Sequence, residues 1–338
     1  MDEQTFNALR YPFPFLMNPL AETLQKHTDR QWIDGELRHL LSEMHREQIK
    51  RAKTAYITAV WYPTTESRKM VPLCRFMLWT LYADDIHEQC TAEQLGQMKE
   101  RSLAVLRGDA TAAEAEVVLG DQLEALRNEL LQFLSPPAVS YFAQRLGTYY
   151  DGVIREAPYR TSRTHPPLDT FMRIREDSVC IVPFLALIEV ETGTSLPRHI
   201  HDHPTILRLE TLCARLIAWF NDFQSIVKDE LSDGTYFNLV KVLQHSEGFS
   251  PAGAREKALQ IHAEDVTEFI HLQATLPDFG PHHDATVNYV HHISLLPSGW
   301  KAMDRILDRY QPTGFAQGEV WKEALQRQGG SYSDGSSC

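Results

Sequence analysis

Phe76-Met77-Leu78-Trp79-Thr80-Leu81-Tyr82-Ala83-Asp84-Asp85-Ile86-His87-Glu88 is the stretch on which the reading of this chain turns. An apolar run ends in three carboxylates. On a helix, Asp84 and Glu88 stand one turn apart on one face, and Asp85 lies about 100° round. Carboxylates at the mouth of an apolar pocket are costly unless a cation or a hydrogen-bond donor neutralises them. The stretch is therefore a candidate site for a divalent metal; taken alone, it reads equally well as a solvated helix end.

The rest of the chain supports a large, ordinary core. Its 338 residues suffice for one large domain or two smaller ones, and 43% hydrophobic with 23% charged residues is the balance of a globular protein. A net charge of -12 without a Lys or Arg stripe argues against nucleic acid, and an anionic substrate would have to enter with metal. Cys74, Cys90, Cys180, Cys213 and Cys338 form no C-x-x-C pair, which suits a reduced compartment. No leader-like N-terminus and no run of apolar residues long enough to span a bilayer is seen, so the expectation is a cytoplasmic protein without a stable membrane anchor.

Outward from the opening stretch, the periodicity is helical throughout. Residues 1–20, with Pro12, Pro14 and Pro19, read as an extended arm without regular structure. Helices are expected from Asp34 through Met44, from Ala52 to Trp61, and over Ser67–Glu88. Thr91 with Glu93 and Gln94 caps the next, which stops before Gly108, and one more covers 111–134. Another follows Ser135-Pro136-Pro137 through Tyr150, with glycine and proline marking ends here and not interiors. Downstream lie an apolar segment from Leu168 to Glu191, a long helix over Pro204–Glu230, shorter ones at 236–245 and 251–275, and a long one from Asp284 to Tyr310. No period-two alternation appears, so the expected class is all-α with ten to twelve helices.

A second constellation lies in Asn221-Asp222-Phe223-Gln224-Ser225-Ile226-Val227-Lys228-Asp229-Glu230. Asn221, Ser225 and Asp229 recur every four residues, which on a helix keeps three oxygen donors within an arc of roughly 80°. Hard cations such as Mg²⁺ take oxygen ligands and leave the remaining positions to water and substrate phosphate.

Together, the two motifs on separate helices of an all-α chain resemble a class I terpene synthase of the microbial type. The resemblance runs from about residue 30 to 312 and has two further supports: Arg175 stands 46 residues before Asn221, where the family has a diphosphate-sensing arginine, and Arg309-Tyr310 closes the last long helix. It implies a single-domain helical bundle over 31–312 around a deep apolar cavity, with an arm at 1–30 and a C-terminal helix and flexible tail at 313–338. It implies three Mg²⁺ ions, with Mn²⁺ as a substitute, held by Asp84, Asp85, Glu88, Asn221, Ser225 and Asp229. Arg175, Lys228, Arg309 and Tyr310 would bind diphosphate; Ser178 and Val179 would form a helix break beside the substrate cation. Phe76, Trp79, Phe171, Phe220 and Trp300 are the candidate cation-facing aromatics, and singly each reads as core. The chain departs from the pattern in three places. Asp229 stands where Glu is usual, with Glu230 next to it as the alternative ligand. The β-branched Val179 stands where a small residue is common, and Trp300 lies nine residues before Arg309.

The implied substrate is a prenyl diphosphate, with farnesyl diphosphate favoured and geranyl diphosphate as the alternative; the protein is expected as a monomer or a homodimer. A chain-elongating enzyme of the same fold would need a second aspartate-rich motif, and none is visible. From other classes, a metal phosphohydrolase could use His199, His201-Asp202, His203 and His282-His283-Asp284, though these read more simply as loop histidines on a solvated surface. A non-catalytic isoprenoid-binding helical protein is the remaining alternative.

Overall fold

Helix starts and stops follow local chemistry. Thr91 and Gln94 form a reciprocal capping box, Thr111 and Glu114 form another, and Ser135 and Ser250 each cap a helix whose first residue is proline. The computed structural model describes residues 1–231 and 236–304, without the side chains of 45, 48 and 227–231. In order, the helices are α1 (Glu3–Ala8), α2 (Ala21–His27), α3 (Glu43–Arg51), α4 (Thr54–Trp61), α5 (Ser67–His87), α6 (Ala92–Arg107), α7 (Ala112–Ala115), α8 (Gly120–Leu130) and α9 (Pro136–Ser162). Then come α10 (Leu168–Ser178), α11 (Val182–Ala186), α12 (Ile188–Thr192), α13 (Arg198–His201), α14 (Pro204–Leu231), α15 (Leu239–His245), α16 (Pro251–Ala274) and α17 (His283–Met303). A π-helical stretch joins α2 to α3 over Thr28–Glu36, and no strand occurs among the described residues.

Packing closes these elements into a ring. Helix α4 lies against α5, α5 against α8, α8 against α6, α6 against α9, α9 against α10, α10 against α14, α14 against α17, and α17 returns to α4. Helix α14 is deeply buried along its middle: Leu212, Cys213, Ala214, Leu216, Ala218, Trp219 and Phe220 are fully buried. A helix apolar on nearly all sides has to lie inside the bundle. Among the described residues no helix is long and apolar enough to cross a membrane.

Several expectations are corrected. The first twenty residues contain α1, capped by the Asp2 side chain, and not an arm without regular structure. The helix expected from Asp34 to Met44 is instead a π-helical end and a turn; Leu37, Leu40 and Leu41 are buried, but Met44 is 65% exposed. The segment 111–134 is broken by Glu116 and Leu119, both in left-handed conformation. The span Leu168–Glu191 is three helices, parted first at Cys180, which adopts a φ of 61°, and again at Leu187. Glycine and proline do enter helix interiors: Pro72, Pro158 and Pro297 sit within α5, α9 and α17, and Gly147 and Gly152 within α9. With the short helices included there are 17 α-helices among the described residues, more than the ten to twelve expected. The tail at 313–338 lies outside the described residues, and the expected boundary at residue 30 falls within the π-helical stretch.

Candidate active site

Two helix C-termini and the second half of a third helix meet at one end of the ring. Asp84 and Asp85 occupy the last turn of α5, Arg175 the last turn of α10, and Asn221 and Ser225 lie in the second half of α14, before its end at Leu231. Helix C-termini carry partial negative charge, and the added carboxylates deepen a potential suited to cations. Asp85 and Ser225 are buried, Asp84 and Asn221 half-buried, and Glu88, the residue capping α5, is exposed.

Arg175 joins the parts. Its guanidinium donates to Asp222 Oδ1 from Nε at 3.1 Å and from Nη2 at 2.7 Å, and Nη2 also donates to Asn221 Oδ1 at 3.0 Å. Burial opposes its charge, but the carboxylates of Asp222, Glu156 and Asp84 outweigh that and hold it protonated above its usual range. One arginine thus bonds to the second motif and lies within electrostatic reach of the first. Asp222 turns its other oxygen to the Leu239 N–H at 2.9 Å, and its carbonyl accepts from the Asn238 amide at 2.7 Å, so the start of α15 is tied to the same residue.

Behind the first motif stands α9. Tyr149 Oη and His87 Nδ1 lie 2.9 Å apart, and burial, with Arg160 nearby, pushes the His87 imidazole down to about 3, so it is neutral. Arg160 donates to the His87 carbonyl at 3.1 Å, adding to the bond that this carbonyl at the end of α5 accepts from the Cys90 N–H, and is itself held by Glu156. The α10 break follows at once: Val179 caps the helix and Cys180 turns left-handed, while Ser178 Oγ is buried without a hydrogen-bond partner. A clean break therefore forms despite the β-branched Val179, because Cys180 takes the strain.

Of the expected aromatics, the structure strings together three. Trp79 stacks on Phe76 at 5.9 Å, Phe76 meets Phe184 at 4.5 Å, Phe184 meets Trp61 at 4.9 Å, and Trp61 meets Trp300 at 5.9 Å. These five rings come from α4, α5, α11 and α17, so the chain crosses the inside of the ring. Buried indole N–H groups normally find an acceptor, yet those of Trp61 and Trp79 have none. Phe171 packs elsewhere, on Trp219 and Phe237, and Phe220 on Phe6. Trp61, Phe184, Tyr149, Glu156 and Arg160 were not anticipated; only their apolar or helical spacing was visible, and that does not say which way a residue faces.

The side chains of Lys228, Asp229 and Glu230, and all of Arg309 and Tyr310, lie outside what is described. The last described residue, Asp304, accepts from Gln224 at 2.9 Å, so the end of α17 lies beside Ser225. Among the described residues no three His, Cys, Asp or Glu side chains gather as a metal site of their own, and His201 is a buried residue on α13 bonded to Glu189 at 2.9 Å, not a solvated loop histidine. That removes the basis of a histidine-centred phosphohydrolase. The oxygen-only set of Asp84, Asp85, Asn221 and Ser225 fits a hard divalent cation.

An all-α ring that brings oxygen donors and a buried arginine together at one end has the donor chemistry of a divalent-metal enzyme. Residues 75–268 match the model of terpene synthase family 2, C-terminal metal binding, and the chain belongs to that family: it is a class I terpene synthase and a divalent-metal enzyme. Germacrene A synthase of Nostoc punctiforme is 27% identical over 85% of this chain and 89% of its own length. A (+)-T-muurolol synthase of Roseiflexus castenholzii, described as farnesyl diphosphate cyclizing, is 26% identical over 96% of this chain and all of its own. Solved structures of a cucumene synthase (21% identity, TM-score 0.75, 88% of this chain and 99% of that one) and of a linalool/nerolidol synthase from Streptomyces clavuligerus (18%, TM-score 0.75, 88% and 100%) share the fold.

Proposed function

We propose that this enzyme ionises farnesyl diphosphate and closes the resulting carbocation into a sesquiterpene, using three Mg²⁺ ions. The observation that carries the reading is the bonding of Arg175 to Asn221 and Asp222 within electrostatic reach of Asp84. The relative matched over 96% of this chain is a (+)-T-muurolol synthase described as farnesyl diphosphate cyclizing, which favours the C15 substrate.

Asp84 and Asp85 on one side, with Glu88 beside them, and Asn221, Ser225 and Asp229 on the other would hold the ions. When bound, these supply Lewis-acid charge to the leaving group. Arg175 contributes planar, multidentate hydrogen bonds to the diphosphate, assisted by Lys228, Arg309 and Tyr310. The carbon–oxygen bond breaks with both electrons leaving on the diphosphate, and an allylic cation remains in the cavity. Phe76, Trp79 and Trp300, with Trp61 and Phe184 between them, wall it off from water and offer ring faces, each worth about 0.5 to 2 kcal/mol to a cation. The Ser178–Val179 break sits next to the sensor arginine and is placed to meet the same cation. The ring's shape then selects the product.

The test is incubation of purified protein with Mg²⁺ and geranyl, farnesyl or geranylgeranyl diphosphate, with mass spectrometry of the volatile extract. A cyclic C15 product from farnesyl diphosphate is expected. Products from geranyl diphosphate alone would move the assignment to monoterpenes, and no terpene from any of the three would remove it.

A further inference from the structure

Gly152 lies on α9 opposite the end of α10. A methyl group added at this position would lie 2.5 Å from Ser178 N, 2.7 Å from the Asp177 carbonyl carbon and 2.8 Å from Ser178 Cα. These are backbone atoms, which cannot swing aside as the tip of a side chain can. The two helices therefore touch main chain to main chain where α10 ends, three residues after Arg175. One turn further along α9, Arg155 is ion-paired with Asp177, fastening the same junction from outside. On either side of Gly152, Tyr149 reaches His87 on α5 and Glu156 lies in the field of Arg175. Helix α9 is thus a common brace for the metal-motif helix and the sensor helix, and Gly152 is where the backbone of α10 lies directly against it.

We propose that Gly152 is a positioning residue for the reaction. By admitting the end of α10 against α9, it fixes where Arg175 and the Ser178–Val179 break stand relative to Asp84, and so governs the fate of the carbocation more than the binding of the substrate. The inference rests on the cyclase reading above. Gly147, on the same helix, provides the control: a methyl there meets the side-chain ends of Leu103 at 3.2 Å and Lys99 at 3.7 Å, both of which can yield.

Steady-state kinetics and product ratios of Gly152→Ala, Gly147→Ala and wild type, all with Mg²⁺ and farnesyl diphosphate, test this. Displacing a reacting geometry by about an ångström costs on the order of a hundredfold in turnover, so Gly152→Ala should lose about that in kcat while KM stays within about threefold. Its products should shift toward acyclic or early-quenched terpenes, whereas Gly147→Ala should keep the wild-type ratio. A Gly152→Ala enzyme with wild-type kcat and product ratio overturns the proposal. Should Gly152→Ala fail to fold, Arg155→Ala decides: it loosens the same junction from an exposed position, and an unchanged product ratio there overturns the proposal. A wild type inactive on every prenyl diphosphate removes the cyclase reading and this inference with it, while an active wild type with unaltered variants removes this inference alone.

Discussion

Two arginine–carboxylate pairs grip α14, one at each end of the ring, and they have the same chemistry and different uses. At the closed end, Arg145 of α9 pairs with the buried Glu210, whose other oxygen accepts from Tyr289 Oη at 2.7 Å. Beside it, Glu189 takes His201 at 2.9 Å, the Leu196 N–H at 2.8 Å and Ser195 at 3.0 Å. These groups bond mainly to one another inside the fold, with Arg145 Nε and His201 Nδ1 left buried without a partner. Twelve residues on, about 18 Å along the helix, Arg175 is instead shared between a carboxylate and the amide oxygen of Asn221. It sits among oxygen donors, with the Asp84 carboxylate at the end of α5 within electrostatic reach. A buried ion pair is therefore no mark of function; what distinguishes the mouth is the company of donors around its arginine.

The comparison breaks or holds first on metal ligands. Asp84→Asn and Asn221→Ala should each reduce turnover on the order of a thousandfold, since several kcal/mol of leaving-group activation is lost, with thermal midpoints close to wild type. Equal loss in a folded Glu210→Gln enzyme would erase the distinction between the two ends. Next comes Arg145→Ala, which leaves Glu210 buried without its cation and should cost about 3 kcal/mol of stability. Urea denaturation reads the cost, and the product ratio of the folded fraction should not change. Arg175→Lys is smaller again: a point charge cannot span Asp222 and Asn221 at once, so turnover should fall about thirtyfold. Full activity in that variant would mean that the shared arginine is structural, like Arg145.

Much of the mouth was legible because its logic is local. Asn221 and Ser225 share a face by their spacing, Asp84 ends an apolar run, and Thr91, Ser135 and Gly108 announce helix ends by the backbone groups they satisfy or the φ they allow. What stayed hidden depends on the partner across the gap. Gly152 carries no signal until the end of α10 lies 2.5 Å from where its side chain would be. Phe171 and Phe220 have the same helical periodicity as Phe76, yet they face neighbours outside the aromatic chain, because periodicity gives burial and not direction. His201 read as a loop residue because Glu189, which makes it a buried one, lies on another helix.

A third buried polar group shows how a structural one should answer to acid. His262 of α16 is 1% exposed, its ring lies 5.1 Å from that of Tyr11, and its Nε2 has no hydrogen-bond partner. Burial first, and then the charge of Lys301 on α17, push its pKa from 6.5 to about 4. Between these values the unfolded chain holds a proton on this residue and the native one does not, so unfolding takes up a proton. Stability should therefore fall as pH drops from about 6.5 to about 4 and lose nothing further from this group below that. Replacing the imidazole by an apolar side chain of similar size, as in His262→Leu, should flatten that part of the slope without changing product ratios at neutral pH. Urea midpoints of the two proteins across the range measure it. An identical slope in both would show that His262 does not supply the acid sensitivity, and a changed product ratio would show that the N-terminal segment it packs against reaches the cavity after all.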